Sequence, residues 1–65
     1  MENNIQKYRL ASGLSQSQLG NTLGVPQGTV GNWERGLREP NLATIKKLAE
    51  ALNCKPADLY PVLEG

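Results

Sequence analysis

Histidine and phenylalanine are absent from this 65-residue chain, and cysteine occurs once, at Cys54. Without histidine there is no imidazole to act as base or ligand, and a single thiol closes no internal disulfide and completes no zinc site of known spacing. The expectation is a fold with no metal, no cofactor and no covalent staple, at home in a reducing cytoplasm. Catalysis lacks material as well. No carboxylate pair stands at a spacing that points to acid–base work, and Cys54 has no base to activate it, so the chain reads as no enzyme. Apolar runs are a few residues long and the N-terminus is polar (Glu2, Asn3, Asn4), so neither a membrane span nor a secretory signal is expected.

Acidic residues are missing from one region. Between Asn3 and Trp33 the only charges are Lys7 and Arg9; the acids are Glu2, Glu34, Glu39, Glu50, Asp58 and Glu64. A net charge of +1 says little about partners, but an acid-free stretch is what a surface approaching a polyanion needs. Chance in a small protein with few acids gives the same pattern, so charge alone does not decide.

Strand signals are lacking too. There is no sustained period-two alternation, and the apolar residues recur at helical intervals, which predicts an all-α domain spanning residues 1–65. Its small core is marginal unless well packed or shared with a partner. Ile5, Tyr8, Leu10 and Ala11 mark a first helix, stopped by Gly13 in a left-handed cap. Ser15 is placed to N-cap a second, carrying Leu19 and Leu23, that ends at Gly24. Pro26 opens a third, where its missing N–H is not needed, with Val30 and Trp33 inward and Gly36 at its end. Leu37 to Asn41 is a loop. Leu42, Ile45, Leu48, Ala49 and Leu52 give the clearest amphipathic pattern, closed by Asn53, and a last short turn or helix runs from Pro56 to Pro61. Leu10, Leu14, Leu19, Leu23, Val25, Val30, Trp33, Leu42, Ile45, Leu48 and Leu52 are the expected core. Cys54 is expected to add a buried thiol.

The segment from Leu14 to Gly36 contains five glycines and, before Glu34, no charge. Two helices of about eight residues around a short glycine turn fit a helix-turn-helix, here at about 15–35, whose second helix enters the DNA major groove. Gly24 supplies the turn conformation and Gly20 a small contact where the helices cross. With Val30 and Trp33 inward, Gln27, Gly28, Gly31 and Asn32 face out or to the sides. An amide offers a donor and an acceptor together, complementary to N7 and N6 of adenine. Gly28 and Gly31 each cost about 1 kcal/mol relative to alanine inside a helix, for which close approach to a ligand, tight packing and drift are competing reasons.

Gly13-Leu14-Ser15-Gln16, Leu19-Gly20, Leu23-Gly24-Val25, Val30, Trp33-Glu34-Arg35-Gly36, Pro40, Leu42 and the Ile45 to Leu52 helix, taken together, resemble the lambda-repressor-like helix-turn-helix family of phage repressors, Cro-type proteins and bacterial regulators of the xenobiotic-response-element type. The resemblance implies a compact bundle of five α-helices. It implies base contacts by Gln27, Gly28, Thr29 and Asn32 and a phosphate contact by Gln16, with Ser15, Arg35, Arg38 and Asn41 as further phosphate candidates. Arg9 and Glu34 match positions that form a partly buried ion pair in some members. The chain departs from the pattern at Pro26, where Ser or Thr usually caps, and at Gly28, where a side chain usually reads a base. Read without the motif, Gln16, Gln27, Thr29 and Asn32 are solvated polar positions, and Arg35, Arg38, Lys46 and Lys47 ordinary surface charges.

The expected function is sequence-specific binding of double-stranded DNA by a transcriptional regulator, a repressor acting as a homodimer on a palindromic operator. No small-molecule ligand is expected, for want of a sensor domain. Leu59, Tyr60, Val62 and Leu63, with the loop near Pro40 to Leu42, are the expected dimer surface, Leu59 in part sealing the core. The alternatives are an antitoxin or restriction–modification controller that represses its own operon and, from another class, a helical protein-interaction module without DNA binding.

Overall fold

The computed structural model describes residues 2–64, in the order α1 (Ile5–Ala11), α2 (Gln16–Leu23), α3 (Gln27–Glu34), α4 (Leu42–Ala51) and α5 (Pro56–Leu59), followed by a 3₁₀ turn at Pro61–Glu64. No strand occurs among the described residues. The fold is all-α, a bundle of five helices.

Helix boundaries follow from residues that satisfy or redirect the backbone. Ser15 caps α2 in a reciprocal box: its hydroxyl accepts from Gln18 N at 3.0 Å, and the Gln18 amide oxygen accepts from Ser15 N at 2.8 Å. The Asn41 side chain likewise accepts from Thr44 N at the start of α4. Gly13, Gly24 and Gly36 close the first three helices at φ of 73–74°, and Asn53, at φ 55°, ends the fourth. These are left-handed conformations in which glycine, and to a lesser degree asparagine, carries no large penalty.

The core consists of Ile5, Leu19, Val30, Trp33, Ile45, Leu48, Ala49, Leu52, Leu59 and Tyr60, with Leu14, Leu23, Val25 and Cys54 half-buried against it. Burial raises the pKa of the Cys54 thiol, and the nearby Asp58 charge adds to the shift. Two expected core residues are exposed. Leu10 is 60% exposed because the inner positions of α1, four apart, are Ile5 and Arg9, and Leu10 lies one residue round the helix from Arg9. Leu42 is 55% exposed: it lies on the apolar stripe of α4 but in its first turn, before the first buried position, Ile45.

The C-terminal expectation is corrected in the same way. Leu59 and Tyr60 are 0% and 1% exposed, so both belong to the protomer's own core and not to a surface offered to a second copy. Asn4 holds α5 over the N-terminus: its backbone N–H donates to Leu59 O at 2.8 Å and its Nδ2 to Asp58 O at 2.9 Å. Burial, and then the charge of Glu39, push the Tyr60 phenol up to about 12. Of the four residues, only Val62 and Leu63 are exposed.

Candidate nucleic-acid interface

Gly24, Val25 and Pro26 join α2 to α3, and Gly20 fixes the geometry of the turn. Val25 N donates to Gly20 O at 2.9 Å, and a Cβ on Gly20 would stand 2.6 Å from Val25 O. A backbone carbonyl cannot swing aside as a side chain can, so only glycine fits this crossing. Pro26 stands just outside α3 as its N-cap, with no side-chain cap, and its carbonyl accepts from Thr29 N at 3.1 Å.

Little in α3 itself favours a helix. It carries Gly28 and Gly31, and its buried face is Val30, Gly31 and Trp33. Its C-terminal end is held from outside. Asn3 Nδ2 donates to Trp33 O at 2.8 Å near the C-terminus, and the buried Glu34 carboxylate ties the last turn to α1. The two glycines differ. Gly31 is buried beneath the Gln16 amide, where a Cβ would meet only ordinary contacts at 3.5 Å and beyond, while a Cβ on Gly28 would meet nothing within 4 Å. A methyl group would therefore fit at either position, although at Gly31 the Gln16 amide covers the space beyond it.

The Arg9–Glu34 pair is buried and bidentate. Arg9 Nε donates to Glu34 Oε2 at 2.6 Å and Nη2 to Oε1 at 3.2 Å, with the side chains 8% and 4% exposed. Arg9 Nη1 also donates to Leu14 O at 2.8 Å. The hydrogen bond to Glu34 raises the Arg9 pKa against the opposing effect of desolvation, so the guanidinium stays charged. The one acid carried by α3 is thereby buried and matched by a cation.

A second set of bonds leads outward from that pair. Gln16 Nε2 donates to Glu34 Oε1 at 3.0 Å, and Gln16 Oε1 accepts from Gln27 Nε2 at the exposed start of α3. The structure thus brings Gln16 and Gln27 together. Gly28 is exposed next to Gln27, and Thr29 and Asn32 are half-exposed. Arg35 Nη2 donates to Asn32 Oδ1 at 2.8 Å. Thr29, Asn32 and Arg38 line one open cleft of about 410 Å³ with Trp33 and Glu39, so the loop after α3 comes back beside that helix. Ser15 and Asn41 are exposed, each with its side-chain oxygen occupied in a helix cap, and Asn41 keeps its NH₂ available.

Sequence reasoning missed the contact between Gln16 and Glu34 and the bonds made by Asn3 and Asn4. Gln16 and Glu34 are eighteen positions apart and no local pattern joins them. Asn4, the N-cap of α1, makes no side-chain cap and reaches Asp58 with its amide, while Asn3 accepts from Ile5 N at 3.0 Å through Oδ1 and donates to Trp33 O through Nδ2.

The helix-turn-helix family profile matches residues 5–59. A Bacillus subtilis protein, the uncharacterized HTH-type transcriptional regulator YgzD, is 35% identical over 60 residues, which make up 92% of this chain and 91% of that one. The restriction-modification controller protein C.AhdI from Aeromonas hydrophila is 41% identical in a crystal structure that covers 83% of this chain and 82% of its own, with a TM-score of 0.76. The P22 c2 repressor protein, crystallised with a synthetic operator, is 34% identical, with 82% and 80% covered and a TM-score of 0.76. The chain belongs to the lambda-repressor-like helix-turn-helix family.

Proposed function

We propose that this protein is a sequence-specific double-stranded-DNA-binding transcriptional regulator that represses by occupying an operator as a homodimer. The observation that carries the reading is the outer face of α3: amide side chains at Gln27 and Asn32, no exposed acid on the helix, and its one carboxylate buried against Arg9. In the major groove Gln27 can accept from adenine N6 through Oε1 and donate to N7 through Nε2. Asn32 has its NH₂ available, and Thr29 adds a methyl group of the kind that packs on thymine. Gly28 presents bare backbone, which allows close approach. Arg35, Arg38, Ser15, Gln16 and Asn41 are assigned to phosphates, which position the helix without reading sequence.

A single unit of this size covers about half a site, and two units one helical turn apart combine their binding energies and restrict the target to a palindrome. Val62 and Leu63, 64% and 46% exposed, with Leu42 at 55%, are the surface assigned to that pairing. No helix among the described residues is long and apolar enough to cross a membrane, and the bacterial cytoplasm or a phage-infected cell is the proposed setting. The 41% identity to a restriction-modification controller favours a second reading within the same chemistry, a controller that acts on its own operon.

Selection from a random duplex library, followed by sedimentation of the complex, tests the proposal. A two-fold-related consensus bound by two protomers is expected, with pairing weakened by Val62→Asp together with Leu63→Asp. Absence of any consensus contradicts sequence-specific recognition, and one protomer per site contradicts the dimer.

A further inference from the structure

The buried ion pair is joined by continuous hydrogen bonds to the side chain assigned to base reading. Glu34 accepts from Arg9 through both carboxylate oxygens, and Oε1 also accepts from Gln16 Nε2 at 3.0 Å. A carboxylate accepts and never donates while ionised, so it fixes which end of the Gln16 amide faces it. The nitrogen of Gln16 must point inward and its oxygen outward. That outward oxygen accepts from Gln27 Nε2. One N–H of Gln27 is thus engaged, and Oε1 with the second N–H is left for solvent or a ligand.

Gln16 reaches both partners because it crosses α3 over Gly31. Its amide atoms lie 3.5 and 3.6 Å from where a Gly31 Cβ would stand. A long side chain at that position would occupy the path.

We propose that Glu34 is a positioning residue for base recognition: its buried carboxylate sets the polarity of the Gln16 amide and, through it, holds Gln27 with one acceptor and one donor directed outward, the pattern complementary to an adenine edge. The inference rests on the DNA-binding reading above and goes beyond it, because it gives the Arg9–Glu34 pair a part in specificity as well as in folding. Gln16 does two things on this account: its Oε1 orients Gln27, and the second N–H of its Nε2 is left to donate to a phosphate.

Two variants test the relay on duplexes altered one base pair at a time from the selected operator, after Gln27→Ala and Asn32→Ala have identified the base pair that each residue reads. Gln16→Leu cuts the relay and leaves Arg9–Glu34 in place. Arg9→Leu with Glu34→Leu removes both buried charges together, a replacement that many folds tolerate, and frees the Gln16 amide. Each is expected to lose about tenfold or more in discrimination at the Gln27 base pair while keeping it at the Asn32 base pair. Equal weakening on every duplex, with the discrimination profile unchanged, would make Gln16 a phosphate contact and the ion pair a purely structural one, and would overturn the proposal. A measurement free of DNA guards against variants that fail to fold: in the wild-type protein, NMR should find the Gln27 side-chain amide in one orientation with a contact to Gln16, and an amide averaged over rotamers would overturn the relay. Wild-type binding with no base preference at all would instead remove the DNA-recognition reading, and the relay with it.

Discussion

The two halves of the molecule reach the same kind of structure by different means. From α4 onward the chain is held by apolar packing: Ile45, Leu48, Ala49 and Leu52 form one stripe, and Leu59 and Tyr60 close over the core. From α1 to α3 the apolar packing of Ile5, Leu19, Val30 and Trp33 is joined by polar atoms and glycines that fix how the helices meet. Arg9 occupies an inner position of α1, Glu34 holds the end of α3, Gln16 bridges outward, and Gly20 admits the turn carbonyl. A helix that must present amides to a partner has only a narrow apolar face to spend on packing, and α3 buries just Val30, Gly31 and Trp33. Its position is therefore set by neighbours, and the bonds that set it lie next to the surface proposed to read bases.

This contrast can be broken most severely at Glu34. Glu34→Ala leaves Arg9 buried without its partner and should cost about 3–5 kcal/mol, a large part of what stabilises a domain of this size. In urea or thermal melts the variant is expected to be mostly unfolded or strongly shifted, whereas Arg9→Leu with Glu34→Leu recovers most of the loss. Leu48→Ala in the apolar half should cost about 2–5 kcal/mol through a cavity. A mild effect of Glu34→Ala, below about 1 kcal/mol, would put that pair with exposed salt bridges and erase the difference between the halves.

Gly20→Ala probes the turn. Its Cβ would meet Val25 O at 2.6 Å, so the backbone must shift, with an expected cost of about 1–3 kcal/mol. Unchanged melting would mean that the crossing of α2 and α3 is looser than this geometry. Smallest, and of opposite sign, is Gly28→Ala. Its new methyl meets nothing within 4 Å, so the variant should gain up to about 1 kcal/mol in helix stability. Loss of operator affinity in that more stable protein would assign the glycine to the DNA side; retained affinity would assign it to drift.

The same contrast explains what the sequence made legible. The α4 helix could be read directly, because its period is regular and its packing follows that period. The turn glycines and the Ser15 cap could also be read, since each answers a local backbone demand. The part of Leu59 in the core could be read in the sequence, but the burial of Tyr60 could not: α5 is tied down by Asn4, more than fifty positions away, which reaches Asp58 and Leu59. Hydrophobicity alone puts Leu10 inside, but the position four after Ile5 is Arg9, and a paired arginine fills it. At the interface, the candidates on α3 follow from its inward residues, but the connection from Glu34 through Gln16 to Gln27 needs three helices in place before it exists.

On the proposed reading, the outward amides of α3 read bases while the cations around it serve any duplex. The most direct test of that reading is the affinity of the wild-type protein and of Gln27→Ala with Asn32→Ala for the selected operator and for a random duplex, measured at one salt concentration. The wild type should prefer the operator by about 10³-fold or more. Each lost amide should remove about 1–3 kcal/mol of that preference while leaving random-duplex binding nearly unchanged. Equal losses on both duplexes, or no preference in the wild type, would contradict the account.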